Sequence, residues 1–159
     1  MRITIVAVGK VKERYLAAAI SEYAKRISRY ARLEMVSVPE EAIADCDSEA
    51  RRAQLREAEA ARVLAKIRPS STVIACDLAG REMTSEEFSK LLSDHGLAGR
   101  SDITFLIGGP TGFAPGALER ADDRVCFSQM TFPHQLMQVI LLEQVYRAFK
   151  IQRNEPYHL

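Results

Sequence analysis

The apolar positions of this chain fall into short β-branched runs separated by longer stretches with helical spacing. Residues 2–9, RITIVAVG, form one such run closed by glycine, which predicts a buried strand. From Lys12 to Tyr30, the residues Leu16, Ile20, Tyr23, Ile27 and Tyr30 recur at the interval that lines one face of a helix. Residues 33–38 alternate and stop at Pro39, a second strand, and the polar stretch 39–47 reads as loop. A long helix follows over 48–67, opened by Ser48 and rich in Ala, Glu and Arg. Residues 71–77, STVIACD, predict a third strand. Thr84 and Glu87 have capping-box spacing ahead of Phe88, Leu91 and Leu92, with Gly96 placed as the helix stop. A strand over 102–107 runs into the glycine-rich GGPTG, a short helix near 115–121 leads to a strand at 124–128, and a last helix runs from Pro133 to Gln152.

Strands alternating with helices of this length predict an α/β fold, a mostly parallel sheet with helices on both faces. The length of 159 residues fits a single domain over 1–159, with no repeat or linker to divide it. The last helix has two apolar stripes, one of Val139, Leu142, Tyr146 and Phe149 and one of Met137, Leu141, Val145 and Ala148. A helix apolar on two sides is buried on two sides, and in a small chain the second partner is expected to be another subunit, giving a homodimer.

With 47% hydrophobic residues and no low-complexity tract, disorder is excluded. No run approaches the ~20 apolar residues of a membrane span. The three widely spaced cysteines, Cys46, Cys76 and Cys126, read as reduced thiols of a cytoplasmic protein with no membrane association. The formal charge of +1 hides an asymmetry. Residues 1–32 carry eight basic side chains against two acidic ones, and residues 33–60 carry eight acidic against three basic. Two solvated faces that cancel would explain this, as would a basic surface for a phosphate backbone beside an acidic flank.

Three strand ends carry candidate chemistry. Gly108–Gly112 follows a strand directly, where bare backbone can approach a ligand closely; a plain tight turn explains the glycines equally. It is neither a P-loop nor G-x-G-x-x-G. The junction from Phe127 to Gln135 offers hydroxyls, backbone groups and a helix N-terminus, although Ser128 or Thr131 could simply cap the helix. The segment from Cys76 to Gly80 ends a third strand in the same manner. Convergence of the three on one pocket is stronger evidence than any of them alone. Glu143 and Arg147 have the spacing of an intrahelical ion pair, and the tail residue His158 reads first as a solvated terminus. The three histidines have no metal-ligand spacing, so no metal is expected.

Taken together, VAVGK at 6–10, EYAKR at 22–26, FLIGGPTG at 105–112, SQMTFPHQL at 128–136, LLEQVYRAFKI at 141–151 and PYH at 156–158 resemble the RlmH family over the full length. These are bacterial SPOUT-superfamily methyltransferases that modify N3 of a pseudouridine in 23S ribosomal RNA on assembled ribosomes. The resemblance implies a C-terminal trefoil knot, a homodimer, and S-adenosyl-L-methionine as methyl donor. It places the donor against Cys76, Gly108, Phe127, Ser128, Gln129, Met130, Thr131 and Phe132. For the reaction, His158 or a water it orders is expected to take the proton, Arg147 to stabilise developing charge or bind phosphate, and Tyr157 to stack on or flank the flipped-out base. Leu159 stands where relatives commonly carry a basic residue, which removes one expected phosphate contact. A SPOUT enzyme acting on transfer RNA and a ribosome-binding module without catalysis are the rival readings. A dinucleotide-binding oxidoreductase is disfavoured by the missing glycine pattern.

Overall fold

The computed structural model describes residues 1–44 and 48–157. Cys46, His158 and Leu159 lie outside the described residues. The elements run β1 (Arg2–Val8), α1 (Arg14–Ile27), β2 (Arg32–Val38), α2 (Glu49–Leu64), β3 (Thr72–Glu82), α3 (Ser85–Leu97), β4 (Asp102–Ile107), α4 (Pro115–Glu119), β5 (Asp123–Cys126) and α5 (His134–Gln152). The strands form one sheet in the order β2-β1-β4-β3-β5, and every pairing is parallel.

The two-residue alternation of the strands feeds two cores. Ile3, Ile5 and Ala7 of β1 join Ile103, Phe105 and Ile107 of β4 and Ile74 of β3 on one face, under α1, α3 and α5. Val6 and Val8 join Leu106, Val73 and Ala75 on the other, under Val63 of α2 and Leu118 of α4. The expectation of helices on both faces is met. Phe105, Ile3, Ile5, Leu141 and Leu142 are fully enclosed, each stabilising the fold by about 1.5–3 kcal/mol relative to exposure.

Helix α5 packs between α1 and α3 on the sheet. Leu141, Leu142, Val145, Ala148 and Phe149 are therefore all buried within the chain, so both predicted apolar stripes find most of their partners without a second subunit. Leu136, Val139 and Ile140 stay half-buried.

Three boundaries differ from the sequence reading for definite reasons. Gly96 lies inside α3; the helix ends at Ala98, and the left-handed residue is Gly99. Pro133 is the N-cap of α5 rather than its first turn. Strand β3 continues past Asp77 to Glu82, because after an irregularity at 77–80 it pairs with β5 again through Arg81 and Glu82. Val125 is thus partnered by both Cys76 and Arg81. Gly80 sits at that irregularity: a Cβ there would lie 2.7–2.8 Å from backbone atoms of Arg124 and Val125.

Candidate active site

All strands being parallel, their carboxyl ends gather on one side of the sheet, where α/β folds bind ligands. The ends of β3, β4 and β5 enclose a cavity of about 840 Å³, the size of a small-molecule site. One wall is Cys76, Asp77 and Leu78. The second is Ile107 and the loop from Gly108 to Phe113, and the third runs from Phe127 through the first turn of α5 to Met137.

Each wall is held from behind. Phe127 packs edge-on to Phe88 of α3 with ring centroids 5.7 Å apart, fixing the start of the third wall. Ser128 Oγ accepts a hydrogen bond of 3.0 Å from the Met130 backbone N–H, and the Ser128 carbonyl accepts one from the Cys126 thiol. No side chain caps α5, so the helix-capping alternative for Ser128 and Thr131 is not what the fold uses. The glycine loop closes on itself through the Gly112 N–H donating to the Gly109 carbonyl at 3.0 Å. Its second glycine is required by a close approach, since a Cβ on Gly109 would lie 2.9 Å from Val8 and 3.1 Å from the buried Glu59 carboxylate. Glu59 also accepts from the Glu41 N–H, and burial pushes its pKa up.

Apart from its backbone, the cavity is apolar and lightly charged. Leu78 and Met130 are large exposed side chains on opposite walls, 54% and 73% accessible, available to close over a flat apolar ligand. Desolvation and the neighbouring Asp77 push the Cys76 thiol up to about 12, so it is a neutral wall group rather than a nucleophile. Asp77 is held by the Arg124 guanidinium. His134 borders the cavity with its Nε2 3.6 Å from Glu40, and that atom has no hydrogen-bond partner among the described residues.

Of the residues proposed from sequence to hold the donor, Cys76, Gly108, Phe127, Ser128, Met130, Thr131 and Phe132 line this one cavity. Gln129 does not line it; its amide donates to Glu82 of β3. Phe113 and Met137 line it without having been singled out as ligand contacts. Met137 was readable as one of two apolar stripes, and only the loop preceding α5 turns it toward the cavity.

The other candidates form a second cluster. Arg147 donates to Glu143 Oε1 from Nε at 3.0 Å and from Nη2 at 2.6 Å, the expected intrahelical pair. The Tyr157 hydroxyl donates to the same oxygen at 3.2 Å, its ring lies under the Arg147 guanidinium at 4.8 Å, and burial raises its phenol pKa. This cluster is far from the cavity. Arg147 lies ten positions beyond Met137, the last cavity residue on α5, about 15 Å along the helix axis.

A parallel α/β sheet with an apolar, loop-built pocket at its strand ends is the arrangement in which α/β proteins hold small ligands. The family model described as "Predicted SPOUT methyltransferase" matches residues 1–158. The chain is 53% identical over 158 residues to "Ribosomal RNA large subunit methyltransferase H 1" of Clostridium perfringens and 54% identical to the protein named "Ribosomal RNA large subunit methyltransferase H" in Carboxydothermus hydrogenoformans, in each case over 99% of both chains. Among solved structures it resembles a probable methylase family protein from Haemophilus influenzae, with a TM-score of 0.51 at 14% identity. That match covers 96% of this chain and 66% of the longer one, and is a likeness of fold. The chain belongs to the SPOUT methyltransferase family.

Proposed function

We propose that the protein transfers a methyl group from S-adenosyl-L-methionine to N3 of a pseudouridine in 23S ribosomal RNA on assembled ribosomes. The observation that carries this reading is the convergence of Cys76, Gly108 and most of the Phe127–Phe132 run on one cavity in a chain 53–54% identical to named ribosomal RNA large subunit methyltransferases.

The cavity suits the donor chemically. Its volume fits a nucleoside with an amino-acid arm, and Leu78, Met130 and Phe132 offer apolar surface for a purine. The backbone of the glycine loop can read polar edges at close range. When bound, the donor supplies a methyl group already activated on a sulfonium, so acid–base help is not needed on the cavity side. The walls therefore orient and exclude water, which is where most of the rate of such a displacement arises.

The acceptor is a different matter. A ring imide nitrogen must lose its proton to become a good nucleophile, and the chain's candidates for that work are Arg147, Tyr157 and His158. His158 takes the proton, Arg147 favours the developing anion and Tyr157 flanks the base. Because Arg147 lies about 15 Å along α5 from Met137, the last cavity residue on that helix, these residues serve the cavity of a second copy. The reading thus requires a homodimer, for which the half-buried Leu136, Val139 and Ile140 supply an apolar contact. The single domain over 1–159 carries the family's trefoil knot and works in the cytoplasm with no metal.

The test is methyl transfer from radiolabelled donor to ribosomes lacking the modification, followed by mass mapping of the labelled nucleoside. Label on a 23S pseudouridine is the expected result; label only on transfer RNA, or none, overturns the assignment. His158→Ala should lower the transfer rate by ~10²-fold or more while leaving the affinity for S-adenosylhomocysteine within a factor of about two. An unchanged rate would remove His158 from the mechanism.

A further inference from the structure

We infer that the arginine–tyrosine surface built by the end of α1 and the last turns of α5 grips the ribosomal RNA strand next to the target nucleotide. This inference rests on the rRNA methyltransferase reading above.

Three guanidiniums are laid on a continuous group of four tyrosine rings. Tyr146 is the hub, with ring centroids 6.3 Å from Tyr23, 6.0 Å from Tyr30 and 4.9 Å from Tyr157. Arg26 lies 5.5 Å over Tyr23 and 5.8 Å over Tyr146, Arg147 lies 4.8 Å over Tyr157, and Arg153 lies 4.9 Å over Tyr30. A guanidinium over a ring loses little freedom on binding, and Arg153, over Tyr30, can turn its N–H groups to phosphate or base oxygens.

The local charge favours a polyanion. Lys25, Arg26 and Arg29 fall in or just after the last turn of α1, and Arg147, Lys150 and Arg153 in or just after the last turns of α5, with Glu22, Glu143 and Glu155 on the same segments. Those three acids are already engaged by Arg26, Arg147 and Lys150. Arg29 and Arg153 are exposed and have no ion-pair partner among the described residues. The patch includes Arg147 and Tyr157, the residues assigned to the acceptor base, so a strand entering the composite site passes over the remaining arginines. Stacked arginines beside tyrosine are the chemistry of RNA recognition more than of an acidic peptide, which offers no bases to stack.

The experiment measures binding of the purified protein to unmodified ribosomes over a series of KCl concentrations, for the wild type, R29E/R153E and the control pair R51E/K66E. The control makes the same charge change on α2 and just beyond it, at exposed positions. The expected result is about a tenfold or greater loss of affinity for R29E/R153E, with a log–log salt slope shallower by roughly two, and no such change for the control. Arg153→Lys, which keeps the charge and loses the stack, should fall between. S-adenosylhomocysteine affinity and thermal stability should stay at wild-type values in all variants. Equal affinity and slope for R29E/R153E and the control, with a wild type that methylates these ribosomes, overturns this inference alone. A wild type that binds an acidic peptide but not ribosomes overturns it together with the functional reading.

Discussion

At Gly80 two stretches of backbone touch where a side chain would have to fit. The hypothetical Cβ contacts of 2.7–2.8 Å involve main-chain atoms of Arg124 and Val125, which cannot swing aside as a flexible side chain can. Gly80→Ala should therefore destabilise the fold by about 2–4 kcal/mol, read as a lowered midpoint in urea unfolding. A midpoint at the wild-type value would mean that β3 and β5 separate there at no cost. Nothing in the segment DLAG announces this, because the constraint comes from a strand more than forty residues later. Residue identities near the cavity were more legible. Gly108, Cys76 and the Phe127–Phe132 run stood out because each follows a short β-branched run, and strand ends in a parallel sheet must meet on one side. Gln129 sits in the same run yet turns to Glu82, a choice that depends on β3 extending beside it.

Elements were legible where local signals agree with packing. The capping box at Thr84 and Glu87 forms as the spacing predicts, with the Glu87 side chain accepting from the Thr84 N–H at 2.8 Å. The length of β3 was not legible, since its second stretch of pairing follows an irregularity and carries exposed residues with no alternation. The double apolar character of α5 was visible, and within the chain the flanking α1 and α3 cover most of it. The amino ends of the strands are pinned by one charged group: Asp102 accepts from Arg68 at 2.9 and 2.7 Å, while Arg68 also donates to Thr4 of β1 at 2.6 Å. The hydrogen bonds from Arg68 hold the Asp102 carboxyl below its ordinary value. With a folded pKa below the unfolded value, its stabilisation is fully present above the unfolded value of about 4 and disappears as pH falls through the folded one. Asp102→Asn should thus lower stability by about 1–3 kcal/mol at neutral pH, with the difference from wild type shrinking below about pH 4. Chemical denaturation of both proteins at several pH values checks this, and a pH-independent difference would assign the loss to packing instead.

At the scale of the whole molecule, the separation of two clusters on one helix organises the account. The cavity sits at the start of α5 and the Glu143–Arg147–Tyr157 cluster toward its end, so the two do not meet within one chain. Mixing a cavity-filled variant, Thr131→Trp, with Arg147→Ala should restore about a quarter of wild-type methyl transfer after subunit exchange, because half the dimers carry one complete site of two. No recovery on mixing would place Arg147 at its own chain's cavity, and full activity of Arg147→Ala alone would remove it from the reaction. The asymmetry of charge along the sequence acquires a location as well: Arg26, from the basic stretch, lies over the rings of Tyr23 and Tyr146.

Donor binding in the cavity at the ends of β3, β4 and β5 is the claim on which the others depend. Calorimetric titration of the wild-type protein with S-adenosylhomocysteine, with NADH as the comparison ligand, tests it most directly. The account predicts saturable binding of the first at one site per chain, abolished by Thr131→Trp, and no binding of the second. Because the cavity is formed in the isolated chain, absence of S-adenosylhomocysteine binding, or binding that survives Thr131→Trp, would contradict it.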